Sequence, residues 1–342
     1  SDVCSSDLIP PFSSMTTGPA IPFETNSRYP DPRIEVLDER FLKLRLFSSS
    51  VEQIASGLRW AEGPQWFGDG RYLLVSDIPN NRILRWDDAS GQVSEFRKPS
   101  HNANGLARDM QGRLLTCEHQ ARRITRTEYN GSITVLADHF EGKRLNSPND
   151  IICQRNGAVW FTDPPFGISG DWEGDPATSE VVASVYRIAP ETGELQQILS
   201  DLQGPNGLAF SPDESILYVV ESRAQPYRKL WAYDVQAVDK GGVKLTNKRL
   251  FTEAKDHGAL DGFAVDVQGN LWCGWGSDGS SGADPEKIDG VRVFAPDGVA
   301  IAHIHLPERC ANVCFGGAKN NRLFMAASHS VYALYTNTRG AV

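Results

Sequence analysis

Three observations predict an all-β chain folded as a closed ring of repeats. A polar residue opens a short apolar stretch six times: Glu62 (EGPQW), Asn104 (NGLA), Asn149 (NDII), Asn206 (NGLAF), Asp261 (DGFAV) and Asn312 (NVCF). The openings are 42, 45, 57, 55 and 51 residues apart. Eight positions after each lies a turn residue, Gly70, Gly112, Gly157, Glu214, Gly269 and Asn320 in that order. Repeats of this length built from short strands are the signature of a β-propeller. The expected fold is a six-bladed β-propeller with four antiparallel strands per blade.

The remaining strands follow in order. After the turns come Tyr72–Val75, Leu114–Cys117, Val159–Thr162, Ile216–Val220, Leu271–Gly274 and Leu323–Ala326. Third strands read as Arg82–Trp86, Arg123–Glu128, Val185–Ile188, Leu230–Tyr233, Val291–Phe294 and Val331–Tyr335. Turn pairs such as Ser90-Gly91 and Asn130-Gly131 then lead to fourth strands such as Thr134–Ala137 and Gln197–Leu199. The segment Val51–Ala55 is a fourth strand with no blade before it, and the last blade lacks one. Val51–Ala55 is therefore expected to complete the last blade and close the ring, which removes the exposed edge.

Composition agrees. Forty per cent hydrophobic residues and eight tryptophans supply a large core, and a net charge of −9 argues against a nucleic-acid partner. No run of eighteen apolar residues exists, so no helical membrane span is expected. Six cysteines form no CxxC pair; Cys117, Cys153 and Cys273 sit in strands as small buried hydrophobes, which fits a reduced, cytoplasmic protein. Residues 1–40, rich in Ser and Pro, read as an N-terminal tail, with Met15 as the natural start, residues 1–14 as added sequence, and 15–40 wrapping the barrel or unstructured. The propeller, the catalytic domain, is placed at 41–342, and a monomer or weak dimer is expected.

In a propeller the first strand of every blade lines the central channel, so openings about fifty residues apart meet near one axis. Glu62, Asn149, Asn206 and Asp261 then supply two carboxylates and two amide carbonyls at one level. Hard oxygen donors without His or Cys suit one divalent ion, Ca²⁺ first, with Mg²⁺, Mn²⁺ or Zn²⁺ as alternatives. Read locally, Asn104-Gly105 and Asn206-Gly207 are ordinary turn formers. Glu62 decides between the readings, because Glu-Gly-Pro is not a favoured turn and Glu seldom opens an apolar strand without a partner.

The stretches AEGPQW, RLNSPNDIICQRNGAVWFTDPPFGI, GPNGLAFSPDESILYV and LDGFAVDVQGNLWC resemble the gluconolactonase/regucalcin (senescence marker protein) family of six-bladed propellers, from about Val51 to the C-terminus. CEHQARRITRTE resembles its bacterial gluconolactonase branch in particular. The resemblance implies one divalent metal held by Glu62, Asn149, Asn206 and Asp261, and hydrolysis of sugar lactones to aldonic acids. Animal members carry an arginine two residues before the channel asparagine; here that position is Ser147, so substrate contacts differ.

The expected chemistry is metal-assisted ester hydrolysis, with Asp261 as proton acceptor, nucleophile or ligand only. The loops joining second and third strands share a face with the openings and bring Asp77, Glu118, His119, Asp163 and Glu221 there. Asn104, His119, Asn146 and Asp163 are the expected substrate-binding residues, with the acidic side chains accepting from sugar hydroxyls. The Gly167–Val182 and Trp275–Asp289 loops are placed as a rim or lid. No G-x-S-x-G elbow is present, which excludes a typical serine hydrolase. The alternatives are an aryl-ester or organophosphate hydrolase on the same fold, or a non-enzymatic calcium-binding propeller.

Overall fold

The computed structural model describes residues 17–238, 241–255 and 257–341. Cys4, Met15 and the expected added segment 1–14 lie outside them. Six four-stranded antiparallel units surround one axis, each running from its innermost strand outward. The inner strands are Ala61–Phe67, Ala103–Arg108, Ile151–Cys153, Pro205–Phe210, Gly258–Val265 and Cys310–Gly316. Among the described residues no helix is long and apolar enough to cross a membrane.

The expected turn residues carry the backbone that turns demand. Gly112, Gly157, Glu214, Gly269 and Asn320 all have φ between 54° and 89°. In the first blade the left-handed position falls one residue later, at Arg71 (φ 51°). The ring closes as anticipated, one residue further along: Glu52–Ser56 pairs antiparallel with the third strand of the last blade, Glu52 opposite Ala333 and Gln53 opposite Tyr332.

The tail holds a strand that its composition does not announce. Ile34–Val36 pairs with Ala300–His305 and adds a fifth strand to the fifth blade, ahead of the expected domain boundary at 41. Asp38 then accepts from the Arg40 amide at 2.9 Å and starts a one-turn 3₁₀ helix, Glu39–Lys43. That turn drives Phe41 into the core, 5.7 Å from the Trp272 ring.

Packing between blades repeats one contact, an aromatic of a second strand against an aromatic of a neighbouring first strand. Trp160 meets Phe210 at 5.5 Å, Trp272 meets Phe315 at 5.5 Å, and Phe324 stacks on Trp66 at 5.4 Å. Each such pair contributes about 1 kcal/mol beyond its burial. The buried indoles keep their polar handles satisfied, Trp160 through Gln154 (3.1 Å) and Trp272 through Asp266 (3.1 Å). The five described cysteines are free thiols.

Candidate metal centre and its mouth

Period-two alternation would point neighbouring residues of an inner strand to opposite faces. A register irregularity breaks that alternation at the opening residue in five blades: between Glu62 and Gln65, Ala103 and Leu106, Pro205 and Leu208, Leu260 and Phe263, and Cys310 and Asn312. Such bulges re-aim side chains. Here they fall at or beside the opening residues.

The openings are linked around the ring. An added Cβ on Gly63 would stand 2.2 Å from the Asn104 carbonyl oxygen. Gly105 N–H donates to Asn149 O at 2.8 Å. The Leu208 N–H donates to the Asp150 carboxylate. A Cβ on Gly207 would stand 2.4 Å from Asp261 O, and one on Gly262 2.1 Å from the Asn312 side chain. Asn312 donates to the Glu62 carboxylate and lies 3.5 Å from Asp150. At Gly105, Gly207 and Gly262 the glycine after the opening residue is required by close approach of adjacent blades, and Asn104-Gly105 and Asn206-Gly207 lie within strands.

Glu62, Asn149, Asn206 and Asp261 are all buried, at 5%, 6%, 7% and 7% exposure. Burial raises the Glu62 pKa well above the carboxylate range, and the charges of Asp261 and Asp150 add to it. Asp150, one residue after a predicted ligand, was not singled out from the sequence. Burial pushes it up to about 7. Among the described residues no three His, Cys, Asp or Glu side chains cluster as a metal group. The candidate donors are half amide, two carboxylates and two asparagines, and the charge of Asp261 acts on Glu62 in a way that a cation would relieve. That chemistry fits a hard divalent ion and not a thiolate or imidazole metal.

A cavity of about 660 Å³ extends from Asp150 and Asn312 toward the turns between first and second strands, walled by Leu106, Ile151, Leu208 and Phe263. It lies on the far side of the donor level. The opposite face carries the loops named from sequence.

On that face the acidic side chains already have partners within the chain. Asp77 accepts from Arg82 at 2.9 Å and from the Arg59 amide at 3.0 Å. Glu118 accepts from Arg123 at 2.7 Å and Thr125 at 2.8 Å. Asp163 accepts from the Asn146 amide at 2.8 Å, and Glu221 from the Gln203 amide and the Trp231 indole, at 2.8 and 2.7 Å. All four are buried, and three of them tie the segment entering an inner strand to the corner between second and third strands. They act as braces, although Asp163 keeps one carboxylate oxygen, Oδ1, buried without a hydrogen-bond partner among the described residues. Asn146 belongs to one such brace, its side-chain amide donating to Asp163 O (3.0 Å) and Val181 O (3.2 Å). Ser147 is likewise internal, donating to Pro164 O and accepting from the Gly167 amide.

Asn104 and His119 are brought together, with Asn104 Nδ2 3.3 Å from His119 Nε2. His119 Nδ1 faces the Glu173 carbonyl at 3.0 Å. A carbonyl only accepts, so Nδ1 carries the proton and Nε2 accepts from Asn104. Burial lowers the His119 pKa to about 4, so the ring is neutral at neutral pH and is no general acid there. The 167–182 loop seats on this histidine because Gly167 has no side chain: an added Cβ would stand 2.4 Å from His119 Cγ. The seat delivers Glu173 to the mouth, where burial first, then the Asp261 charge, pushes its carboxyl up to about 7. Arg309 also reaches the mouth, its guanidinium 3.0 Å from Asp261 Oδ2. Neither residue sits in a repeat position, so nothing in the periodicity marks them.

Comparison with known proteins gives a consistent picture. A family model described as SMP-30/Gluconolactonase/LRE-like region matches residues 60–329. A gluconolactonase of Zymomonas mobilis subsp. mobilis is 35% identical over 316 residues, 86% of this chain and 83% of its own. The solved structure of XC5397 from Xanthomonas campestris, described as a gluconolactonase important in glucose secondary metabolic pathways, superposes with a TM-score of 0.79 at 36% identity. It covers 93% of this chain and 97% of its own. A second solved structure, of a putative gluconolactonase, gives a TM-score of 0.80 at 33% identity, covering 90% and 99%.

Proposed function

Because the chain belongs to the SMP-30/gluconolactonase/LRE-like family, we propose that it is a metal-dependent lactonase that opens sugar lactones of the gluconolactone type to aldonic acids. The observation that supports this reading is that Glu62, Asn149, Asn206 and Asp261 are all buried at the blade openings, with Glu62 and Asp261 near enough for one charge to act on the other. The ion proposed is Ca²⁺, since two carboxylates and two amide oxygens leave room for water and a substrate oxygen in a shell of about six to eight. When bound, such a cation polarises the lactone carbonyl and stabilises the negative charge that forms on its oxygen.

The chain's own residues do the rest. Asp261 accepts the proton of the attacking water at its carboxylate. Asn104 offers its amide to a substrate hydroxyl, held in place by the neutral His119. His119 in turn anchors the loop that carries Glu173 over the mouth, and that loop excludes bulk water. Asn146 and Asp163 position the entry to the third inner strand. The sugar preference is taken from the relatives, since the mouth carboxylates serve as braces.

A pH-indicator assay tests substrate class. Glucono-1,5-lactone is expected to be turned over far faster than phenyl acetate; a clear preference for phenyl acetate would replace this reading with an aryl esterase.

The raised acids give a pH prediction. In the cation-free protein, Asp150 titrates near 7 rather than near 3.8. Its contribution to stability is fully present below pH about 4 and is lost as pH rises through 7. Cation binding needs ionised donors, so it releases protons at neutral pH and weakens on acidification. Calorimetry at pH 7 in buffers of different ionisation enthalpy should show that release, fading by pH 9. Binding that is independent of pH between 5 and 8 would contradict it.

A further inference from the structure

We propose that Arg309 is a displaceable counter-ion: it neutralises Asp261 until a cation takes that carboxylate, and its freed guanidinium then binds the substrate's oxygens and sets specificity. The proposal rests on reading the four-donor level as a cation site.

Arg309 lies just ahead of the last inner strand, Cys310–Gly316. Its backbone is fixed by Ser328 Oγ, which donates to Arg309 O at 3.2 Å. The stem is housed on purpose: a Cβ on Gly276 would stand 2.3 Å from Arg309 Cγ and 2.8 Å from its Cβ, so no side chain fits at 276 while Arg309 holds this course. The guanidinium carbon lies 5.9 Å from the Trp60 ring centroid at the rim. One of its amino groups donates to Asp261 Oδ2 at 3.0 Å. Its Nε, by contrast, is buried without a hydrogen-bond partner among the described residues. A buried, unsatisfied donor is costly, and its natural complement is an acceptor on an arriving ligand.

Electrostatics supply the switch. Asp261, Arg309 and Arg223 each act on the charge of Glu173, and the same three act on Arg228. Were Glu62 and Asp261 to hold a divalent ion, the negative charge that retains Arg309 would be cancelled and the guanidinium would be repelled at short range. What remains is a planar fork of N–H donors beside the polarised carbonyl. That fork suits an oxygen-rich ligand and grips the oxygens of an aldonolactone and of the aldonate alike, so it contributes binding before and after ring opening.

The test uses the full chain with Arg309→Met and Arg309→Lys, titrated with calcium and, at saturating calcium, with gluconate. Removing the competitor should tighten calcium binding in Arg309→Met by about tenfold, the equivalent of one charge-assisted hydrogen bond. Gluconate affinity should fall at least tenfold, and KM for gluconolactone should rise to match with kcat within about threefold, since uniform binding is lost. Arg309→Lys should lie between, keeping the charge without the fork. Weaker calcium binding in Arg309→Met would make Arg309 a brace that orients Asp261 and overturn the proposal, as would unchanged gluconate affinity. Calcium and gluconate binding are read without turnover, so a failure of the wild type to hydrolyse lactones would be recognised separately from a failure of this proposal.

Discussion

Glu62→Gln and Asp261→Asn are each expected to weaken calcium binding about a hundredfold or more, because each removes one of only two anionic donors. In Asp261→Asn the amide oxygen can still ligate, yet it no longer accepts a proton. With saturating calcium, kcat should therefore fall by about 10³ while KM moves much less. The same substitutions separate function from stability. Glu62 is buried among like charges, with its pKa raised by burial, Asp261 and Asp150 in that order. Its stability contribution is lost as pH rises through the folded pKa, so at neutral pH the cation-free Glu62→Gln protein should melt no lower than wild type. Calorimetry and thermal melts decide this, and unchanged calcium affinity in both variants would remove these residues from the site.

Gly207→Ala is the second large effect. The new Cβ would lie 2.4 Å from Asp261 O and 2.8 Å from Gly262 Cα, both backbone atoms that no rotamer change can move. Relief requires two adjacent blades to separate at the level of the proposed ligands. The expected loss is about 3 kcal/mol of stability, the upper part of the overpacking range, with calcium binding lost alongside it. Gly105→Ala faces the Asn149 carbonyl oxygen at 2.4 Å and should behave alike. Gly170→Ala is the control: nothing lies within 4 Å of its Cβ and its φ is not left-handed, so its melting temperature should stay within the noise. Equal melting temperatures for Gly207→Ala and Gly170→Ala would mean that the ring does not need close approach.

The sequence carried the propeller because a sixfold repeat averages out local ambiguity: each strand signal is weak, and the shared phase of six is strong. It also carried the closing strand to within one residue, since an unmatched fourth strand at one end answers a missing one at the other. Ile34–Val36 was not legible, because three residues carry no period and the strand exists through its partner Ala300–His305. Within the site, repeat positions were legible and departures from them were not. Asp150 turns inward beside Asn149, where alternation predicts one inward residue, and Arg309 and Glu173 arrive from connections outside the repeat. The buried carboxylates show the converse. Asp77, Glu118, Asp163 and Glu221 occupy equivalent positions, which suggested a shared ligand, yet their partners are their own blades' Arg82, Arg123, Asn146 and Trp231. Sequence gives a position on a face and leaves out whether the lone pairs are already taken.

The central claim is that an intact propeller hydrolyses a sugar lactone only with a cation at Glu62, Asn149, Asn206 and Asp261. The direct measurement is the initial rate on glucono-1,5-lactone after exhaustive chelation, with circular dichroism recorded on the same sample and bound metal quantified. The account predicts a fall of about a hundredfold or more with an unchanged spectrum, and recovery on adding calcium, since the packed blades hold the fold without the ion. Full turnover by protein shown to contain no metal would contradict it.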